Sequence, residues 1–299
     1  MMLLQYAANG VILGATLALG AIGLTLTYNI LRFANFAHGE FLTFGAYFAL
    51  VFVTLFAGAS STLGPFSFGW GLIVALLLAG VLTAGLALLL DWLLFRMLRK
   101  SNIQVTLVIA SFGASLLLRN LVIFIWGSQP EYYSRNIAIA LRLLPGLRLT
   151  ADELFVLLVT AIMMLGLHLF LSHTRLGKAM RAVSDNPALA SVTGIHVQGV
   201  IRWTWIVGGS FAAVAGVLFG LTVQIAPDMG FNLILPMFAA AILGGIGSIY
   251  GAVLGGLVIG LAESLSVPFI GPAYMPAIGF LLMFIILLVY PKGLLGDRS

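Results

Sequence analysis

Two polar clusters interrupt a chain that is otherwise almost continuously apolar. The first contains Asn35, His38 and Glu40 and joins two apolar stretches, and the second is the basic segment 174–199. An ionisable side chain inside a bilayer costs several kcal/mol, so polar groups in such places indicate a functional role. The chemistry that these side chains could support depends on their spacing.

That spacing excludes the standard catalytic and cofactor motifs. His38 and Glu40 lack the second histidine in register of a metalloprotease, and the Gly-Lys pair that ends at Lys178 is not followed by the Ser or Thr of a phosphate-binding loop. The glycine-rich run 245–251 fits neither a dinucleotide fingerprint nor a nucleophile elbow. Cysteine is absent from the sequence, so no thiolate is available. We therefore predict no catalytic residue, no metal site and no cofactor.

A membrane passage remains as a role for these polar residues. Asn35, His38 and Glu40 either lie solvated at the cytoplasmic rim, where an acidic group favours a helix start, or line an inner gate. Arg119 and Glu263 lie inside apolar stretches, where each either pairs within the bundle or contacts substrate. A glycine-rich turn between two short stretches is a candidate pathway wall, because broken helices are tolerated only beside protein or water. The candidate passage or gate residues are Asn35, His38, Glu40, Gly244, Gly245, Gly247 and Glu263.

The composition places all of these residues in a membrane protein. Hydrophobic residues make up 62% and charged residues 8% of the 299 residues, and the mean hydropathy is +1.15, whereas soluble domains carry about 25% charged residues. A helix needs about 20 apolar residues to cross the hydrocarbon. We predict one all-α domain over residues 1–299, a polytopic membrane helix bundle of about eight to nine transmembrane or re-entrant helices. The apolar stretches lie at 7–31, 40–57, 70–95, 103–126, 153–171, 201–226, 231–246, 249–267 and 272–290.

Short basic loops predict how the bundle is oriented. Lys and Arg cluster after the third stretch, between the fifth and sixth, and at the C-terminus. Cytoplasmic loops carry an excess of these residues, so the N-terminus is expected outside and the C-terminus in the cytoplasm. Residues 231–267 form either two spans or a re-entrant pair. The net charge of +5 arises from these loops, and we therefore predict no binding to nucleic acid.

The second polar cluster predicts a short helix within a cytoplasmic loop at about 174–200. Ser184, Asp185 and Asn186 supply helix-capping side chains, Pro187 suits a first turn and Gly194 suits a C-terminal stop. The resulting helix, at about 187–193, is small, mildly apolar and uncharged. Such a surface either packs beneath its own bundle or docks into a partner.

Four ordered motifs resemble the LivH-type permeases of branched-chain amino acid ABC importers. They occur in the family's order and span nearly the whole chain. The motifs are Asn35-Phe36-Ala37-His38-Gly39-Glu40 followed by Gly45-Ala46-Tyr47, Arg181-Ala182-Val183-Ser184-Asp185-Asn186 with Ala190 and Gly194-Ile195, Leu243-Gly244-Gly245-Ile246-Gly247-Ser248, and Pro291-Lys292-Gly293-Leu294-Leu295-Gly296.

The resemblance implies an importer subunit in the bacterial inner (plasma) membrane. Its expected partners are a second homologous permease, two cytoplasmic ATPase subunits, a periplasmic or extracellular solute-binding protein and the lipid bilayer. The segment 185–194 resembles the family's coupling region, although the Glu-Ala-Ala triplet of ABC importers is absent here. The expected ATPase-coupling residues are Arg181, Asp185, Asn186, Ala188, Ala190 and Gly194.

These expectations predict a permease that moves amino acids, with branched-chain or other apolar ones favoured, rather than an enzyme. ATP hydrolysis is expected in separate subunits, because a pump without a nucleotide site must receive force through a surface. The alternative is a secondary transporter or channel for small amphipathic solutes such as urea or amides, working without ATPases. An intramembrane enzyme is a third, weaker hypothesis. The sequence leaves open which amino acid or amide is carried and whether the two permeases are identical.

Overall fold

A computed structural model describes residues 2–56, 61, 63–99, 103–134, 140–290 and 292–295. Within these ranges the chain is helical apart from one β-hairpin and short connections. A π-helical turn lies at Asp91–Phe95, and a 3-10 turn lies at Pro272–Tyr274. The elements are α1 Met2–Leu31, α2 His38–Phe56, α3 Trp70–Leu90, α4 Arg96–Leu98, α5 Gln104–Trp126, β1 Ala140–Leu144, β2 Leu147–Thr150, α6 Ala151–His173, α7 Arg175–Asp185, α8 Pro187–Val192, α9 Val197–Thr222, α10 Met229–Gly244, α11 Ile249–Ile270 and α12 Met275–Val289.

The predicted all-α membrane bundle is confirmed, since each of the nine apolar stretches contains a helix. Eight helices in the described ranges are long and apolar enough to cross a membrane. α10 has 16 residues, which gives a length of about 24 Å against a hydrocarbon thickness of about 30 Å. α11 has 22 residues and reaches across. Of the two stretches whose form the sequence left open, α11 is therefore a full-length helix and α10 a short one.

α1 lies at the centre of the bundle and packs antiparallel against α11. At one end the Ser264 hydroxyl donates to the Tyr6 carbonyl over 2.6 Å, and at the other the Asn29 amide donates to the Gly247 carbonyl over 2.6 Å. Glycines allow the backbones to meet between these points. An added Cβ on Gly260 would lie 2.3 Å from the backbone nitrogen of Gly14. The small residues at helical-neighbour spacing thus serve close packing within this chain.

The chain turns back into the bundle after α1. Arg32 has a φ of +58°, a left-handed conformation of the kind that ends helices. The following segment runs beside α5, where the Phe36 N–H donates to the Ser111 hydroxyl over 3.1 Å. α2 consequently begins inside the bundle, at His38, rather than at its end.

A β-hairpin that the sequence reading did not predict covers the opposite end of α1. β1 and β2 pair antiparallel, with Arg142 opposite Arg148. The side chain of Gln5 accepts from the Arg148 N–H over 2.8 Å and donates to the Arg148 carbonyl over 2.9 Å. Thr150 and Glu153 then form a reciprocal capping box that starts α6. The hairpin thereby links the start of α1 to the start of α6.

Candidate functional site

His38 lies in the interior of the bundle and is fully buried. Its Nε2 is 3.0 Å from the carbonyl oxygen of Gly20, and its ring meets Phe41 edge-on at 5.9 Å. Gly20 precedes the end of α1 by eleven residues, or about 16 Å along the helix axis. The interpretation of this motif as a solvated rim is therefore wrong. Because the chain folds back into the bundle after Arg32, His38 is buried although it closely follows the end of α1 in the sequence.

Asn35 forms the turn that precedes α2. Its side-chain oxygen accepts from the Ala37 N–H over 3.2 Å, and its carbonyl accepts from the His38 N–H over 3.3 Å. This is an Asx-type turn, in which a short side chain replaces a missing backbone partner. Asn35 is fully buried, and its side-chain nitrogen has no hydrogen-bond partner among the described residues. Its contacts are those of a residue that shapes the entry into α2.

Glu40 is fully buried in α2, near polar side chains of α5 and of the turn before α10, two of which are half-buried. Its Oε1 accepts from the Ser115 hydroxyl over 3.1 Å, while Oε2 has no hydrogen-bond partner among the described residues. The nearby charges that act on the carboxylate are Arg119 and Asp228. The Arg119 guanidinium lies 5.1 Å from the ring centroid of Phe231, a cation–π arrangement. We call Glu40, Ser115, Arg119 and Asp228 the acidic–basic cluster.

The structure brings Arg119 and Asp228 to Glu40, and neither was in the predicted site. The sequence predicts that Arg119 pairs within the bundle or contacts substrate, and it gives no prediction for Asp228, which follows the sixth apolar stretch. Asp228 precedes the first residue of α10 and accepts from the Asn232 amide over 3.0 Å. The sequence contains one indication of this arrangement. The apolar stretch of α10 is too short to span the membrane, so the helix is expected to begin within the bundle.

The glycine-rich turn is closely packed. Gly245 and Gly247 have φ values of +107° and +103°, which non-glycine residues rarely adopt. An added Cβ on Gly244 would lie 1.9 Å from the carbonyl oxygen of Gly251. The Leu295 N–H donates to the Gly244 carbonyl over 2.9 Å, so the chain end also holds this turn. Its glycines are accounted for by backbone packing between α10, α11 and the chain end.

Glu263 is separated from the acidic–basic cluster. It lies in α11, is 5% exposed, and its Oε1 has no hydrogen-bond partner among the described residues. An added Cβ on Gly279 of α12 would lie 2.5 Å from this oxygen. Glu263 therefore faces α12, and the structure does not join it to His38 or Glu40 in one site.

The predicted short helix is present as α8, and its ends are as expected. The Asn186 side chain accepts from the Leu189 N–H over 3.0 Å, and Pro187 occupies the first turn. Gly194 has a φ of +89°, and the Ile195 N–H donates to the Ala190 carbonyl over 3.0 Å. The hydrogen bonds at both ends give a well-defined helix of six residues.

α8 has one inward and one outward face. Ala190 is 4% exposed and packs with Met180, Val183 and Val200 of the neighbouring helices. Leu189 is 62% and Val192 86% exposed. Of the proposed coupling residues, Ala190 therefore lies against the protein's own bundle, whereas Arg181, Asp185, Asn186, Ala188 and Gly194 are exposed. The two outward apolar side chains were missed because the sequence alone did not fix the rotation of so short a helix.

A tyrosine holds α2 at the end of the bundle that carries the hairpin. The Tyr133 hydroxyl donates to the Ala46 carbonyl over 2.9 Å, and burial raises the pKa of Tyr133 well above its usual range. Beside it, Glu131 and Ile225 exchange two backbone hydrogen bonds of 2.8 and 2.9 Å. These contacts join the loop after α5 to α2 and to the connection that leads to α10.

Comparison with known sequences covers nearly the whole chain. Residues 6–290 match the family described as "Branched-chain amino acid transport system / permease component". The chain is 35% identical over 298 residues to the high-affinity branched-chain amino acid transport system permease protein BraD of Pseudomonas aeruginosa, covering 98% of this chain and 95% of BraD. It is 34% identical over 299 residues to the corresponding protein LivH of Escherichia coli, with the same coverage. A probable branched-chain amino acid transport permease protein LivH of Methanocaldococcus jannaschii is 32% identical over 304 residues, covering 96% and 91%.

A solved structure has a related fold. The chain is similar to PsaBC from Streptococcus pneumoniae in complex with Fab, with a TM-score of 0.51 and 16% sequence identity. The similarity covers 98% of this chain and 93% of that one. At this identity the comparison supports a common helical architecture alone.

Proposed function

We infer the function of this chain from the family to which it belongs, the permease components of branched-chain amino acid transport systems. Membership confirms the resemblance that the four ordered motifs indicated. We propose that the chain is the membrane-spanning permease subunit of an ATP-driven ABC importer, and that it carries branched-chain or other apolar amino acids. The eight helices of sufficient length and apolarity in the described part of the chain support this role.

The observation that carries the proposal of ATP-driven transport is the outward face of α8. Leu189 and Val192 expose apolar surface on a helix whose two ends are held by hydrogen bonds. Exposed apolar patches mark sites of interaction. Behind α8, α7 contacts α1, α6 and α9. We propose that an ATPase subunit docks on α8 and that α7 transmits its movement to the spanning helices.

The acidic–basic cluster supports a passage for amino acids. A free amino acid carries one carboxylate and one ammonium group, and Arg119 and Glu40 present the opposite charges inside the membrane region. Intramembrane charges usually face a bundle interior or a water-filled path. Arg119 is half-buried in α5, a helix with several exposed apolar side chains. We propose that a second permease subunit packs beside α5 and that the passage runs past this cluster.

The two ends of the bundle support the proposed orientation. α7, with Arg175, Lys178 and Arg181, lies at the same end as Arg32, whose guanidinium bonds to the Ser184 carbonyl. The opposite end carries Glu131, the capping Glu153 and the hairpin with its two arginines, Arg142 and Arg148. Under the rule that cytoplasmic loops are basic, we propose that α7 and α8 lie in the cytoplasm and the N-terminus outside, in a bacterial inner membrane.

Orientation and coupling can be tested together, because the chain contains no cysteine. A membrane-impermeant thiol reagent should label Ser61→Cys in intact cells and should leave Ser191→Cys unlabelled until the cells are opened. Co-expressed ATPases should then protect Ser191→Cys, on α8, in opened membranes. Labelling of Ser191→Cys from outside would overturn the orientation, and its full labelling in the assembled complex would overturn the docking surface.

A further inference from the structure

An apolar groove runs along the surface of the bundle between α6 and α11. Ile22 of α1 forms part of its floor, and Met164 and Leu167 on one side and Val253 and Leu254 on the other line its walls. The groove has a volume of about 330 Å³. It differs from an ordinary helix interface because α6 and α11 are separated here and α1 forms the floor between them.

A larger polar cavity of about 760 Å³ adjoins the groove at the end of the bundle that carries α7 and α8. Leu171, Ile249 and Tyr250 line both cavities, so the two adjoin along these side chains, and we call them together the depression. The Tyr250 hydroxyl and His168 Nδ1 are 2.7 Å apart and bridge α6 to α11 beside this junction. Tyrosine is favoured where hydrocarbon meets the polar headgroup layer.

The polar cavity has a positive charge. Of the charged side chains in the described ranges, Arg32, Arg181 and Asp185 line it. Arg32 bonds to the Ser184 carbonyl, and Arg181 Nη2 donates to the Leu171 carbonyl over 2.9 Å. A guanidinium has five N–H donors, so each arginine retains donors for a ligand. Both arginines are exposed.

We propose that this depression binds one anionic phospholipid, with its phosphate against Arg32 and Arg181 and an acyl chain in the groove between α6 and α11. Basic pockets between transmembrane helices at the cytoplasmic side are suited to anionic headgroups. A soluble anion would use the arginines without the groove, whereas a neutral lipid would use the groove without the arginines. The joined cavities fit a molecule that has both parts. The inference rests on the proposed function, because it requires that the chain spans a membrane and that α7 lies on the cytoplasmic side.

A lipid in this position would connect elements that the protein itself joins through few polar contacts. Arg32 follows the last residue of α1, and Arg181 lies in α7, which leads directly into α8. A phosphate shared by the two guanidinium groups would hold α7 against α1. Anionic lipid would thereby steady the proposed coupling helix.

The charge requirement can be measured on the purified complex by native mass spectrometry with phosphatidylglycerol or phosphatidylcholine added. We expect phosphatidylglycerol to be retained in preference, and Arg181→Gln to lower its retention about fivefold, as loss of one basic group near a membrane surface predicts. Arg202→Gln, which removes an exposed arginine of α9 outside the cavity, is the matched control and should retain lipid. Equal loss in both variants, or no preference for phosphatidylglycerol, would overturn the proposal.

The groove requirement is tested separately by Val253→Trp, which fills the groove and leaves both arginines in place. Retention of phosphatidylglycerol should fall, while Leu281→Trp, on the exposed face of α12, should have no effect. Unchanged retention in Val253→Trp, or displacement of the lipid by millimolar inorganic phosphate, would assign the cavity to a soluble anion and contradict the proposal. Lipid binding by a complex that does not transport would reject the proposed function but leave this site intact.

Discussion

His38 and Gly20 meet in the interior of the bundle, where the imidazole Nε2 lies 3.0 Å from the backbone carbonyl oxygen. The contact places the first residue of α2 nearly two-thirds of the way along α1. Gly23, one turn further on, leaves room for the ring, because an added Cβ there would lie 2.8 Å from His38 Cε1. The polar motif at 35–40 is therefore a buried junction between helices.

Replacing His38 by alanine should destabilise this junction. The substitution removes a fully buried ring and its hydrogen bond, and large-to-small changes of this kind cost about 2–4 kcal/mol. The thermal unfolding midpoint of the detergent-solubilised chain should fall measurably. His196→Ala, at an exposed position before α9 where the side chain makes no capping hydrogen bond, should leave the midpoint unchanged. An unchanged midpoint in His38→Ala would contradict the structural role.

Glu40→Gln should impair transport more than it impairs assembly. Glutamine keeps the shape and an acceptor for the Ser115 hydroxyl but removes the charge that faces Arg119 and Asp228. Uptake by the assembled complex should fall at least about tenfold, equivalent to about 1.4 kcal/mol of lost stabilisation, while Ser115→Ala should have a smaller effect. Asn120→Ala, whose amide bonds only to a carbonyl of its own helix among the described contacts, is the control. Wild-type uptake by Glu40→Gln would remove the cluster from the passage.

The two faces of α8 should respond differently to a charge. Leu189→Glu or Val192→Glu should weaken binding of the ATPase subunits without unfolding the permease, because both side chains are exposed. Ala190→Glu should destabilise the permease itself by more than about 2 kcal/mol, since the carboxylate would be buried against Met180 and Val183. Co-purification and thermal unfolding separate these outcomes, with Gln104→Glu, at the exposed start of α5, as the control away from α8. Normal co-purification of Leu189→Glu and Val192→Glu would place the docking surface elsewhere.

The helices and the ends of α8 could be predicted from the sequence because local physics determines them. Long apolar stretches fix the spans, and Asn186, Pro187 and Gly194 fix where the short helix begins and ends. The orientation of side chains depends on tertiary packing. Ala190 was predicted as a contact residue, yet the rotation of α8 turns it inward and turns Leu189 outward.

The site at Glu40 could be predicted only in part, for a related reason. The sequence identified Glu40 as an unusual charge near an apolar stretch, but its neighbours come from α5 and from the start of α10, far along the chain. Bringing Arg119 and Asp228 to it requires the return of the chain after Arg32 and a short α10 that starts inside the bundle. The short apolar stretch of α10 indicates the second event, whereas the return of the chain after Arg32 has no periodic signal in the sequence.

Uptake by proteoliposomes tests the central claim most directly. The chain should be reconstituted with its second permease and ATPase subunits, with labelled leucine and a binding protein outside and ATP or a non-hydrolysable analogue inside. We predict concentrative uptake with ATP, none with the analogue and none by this chain alone. Concentrative uptake by this chain alone without ATP would contradict the account and would instead indicate a secondary transporter.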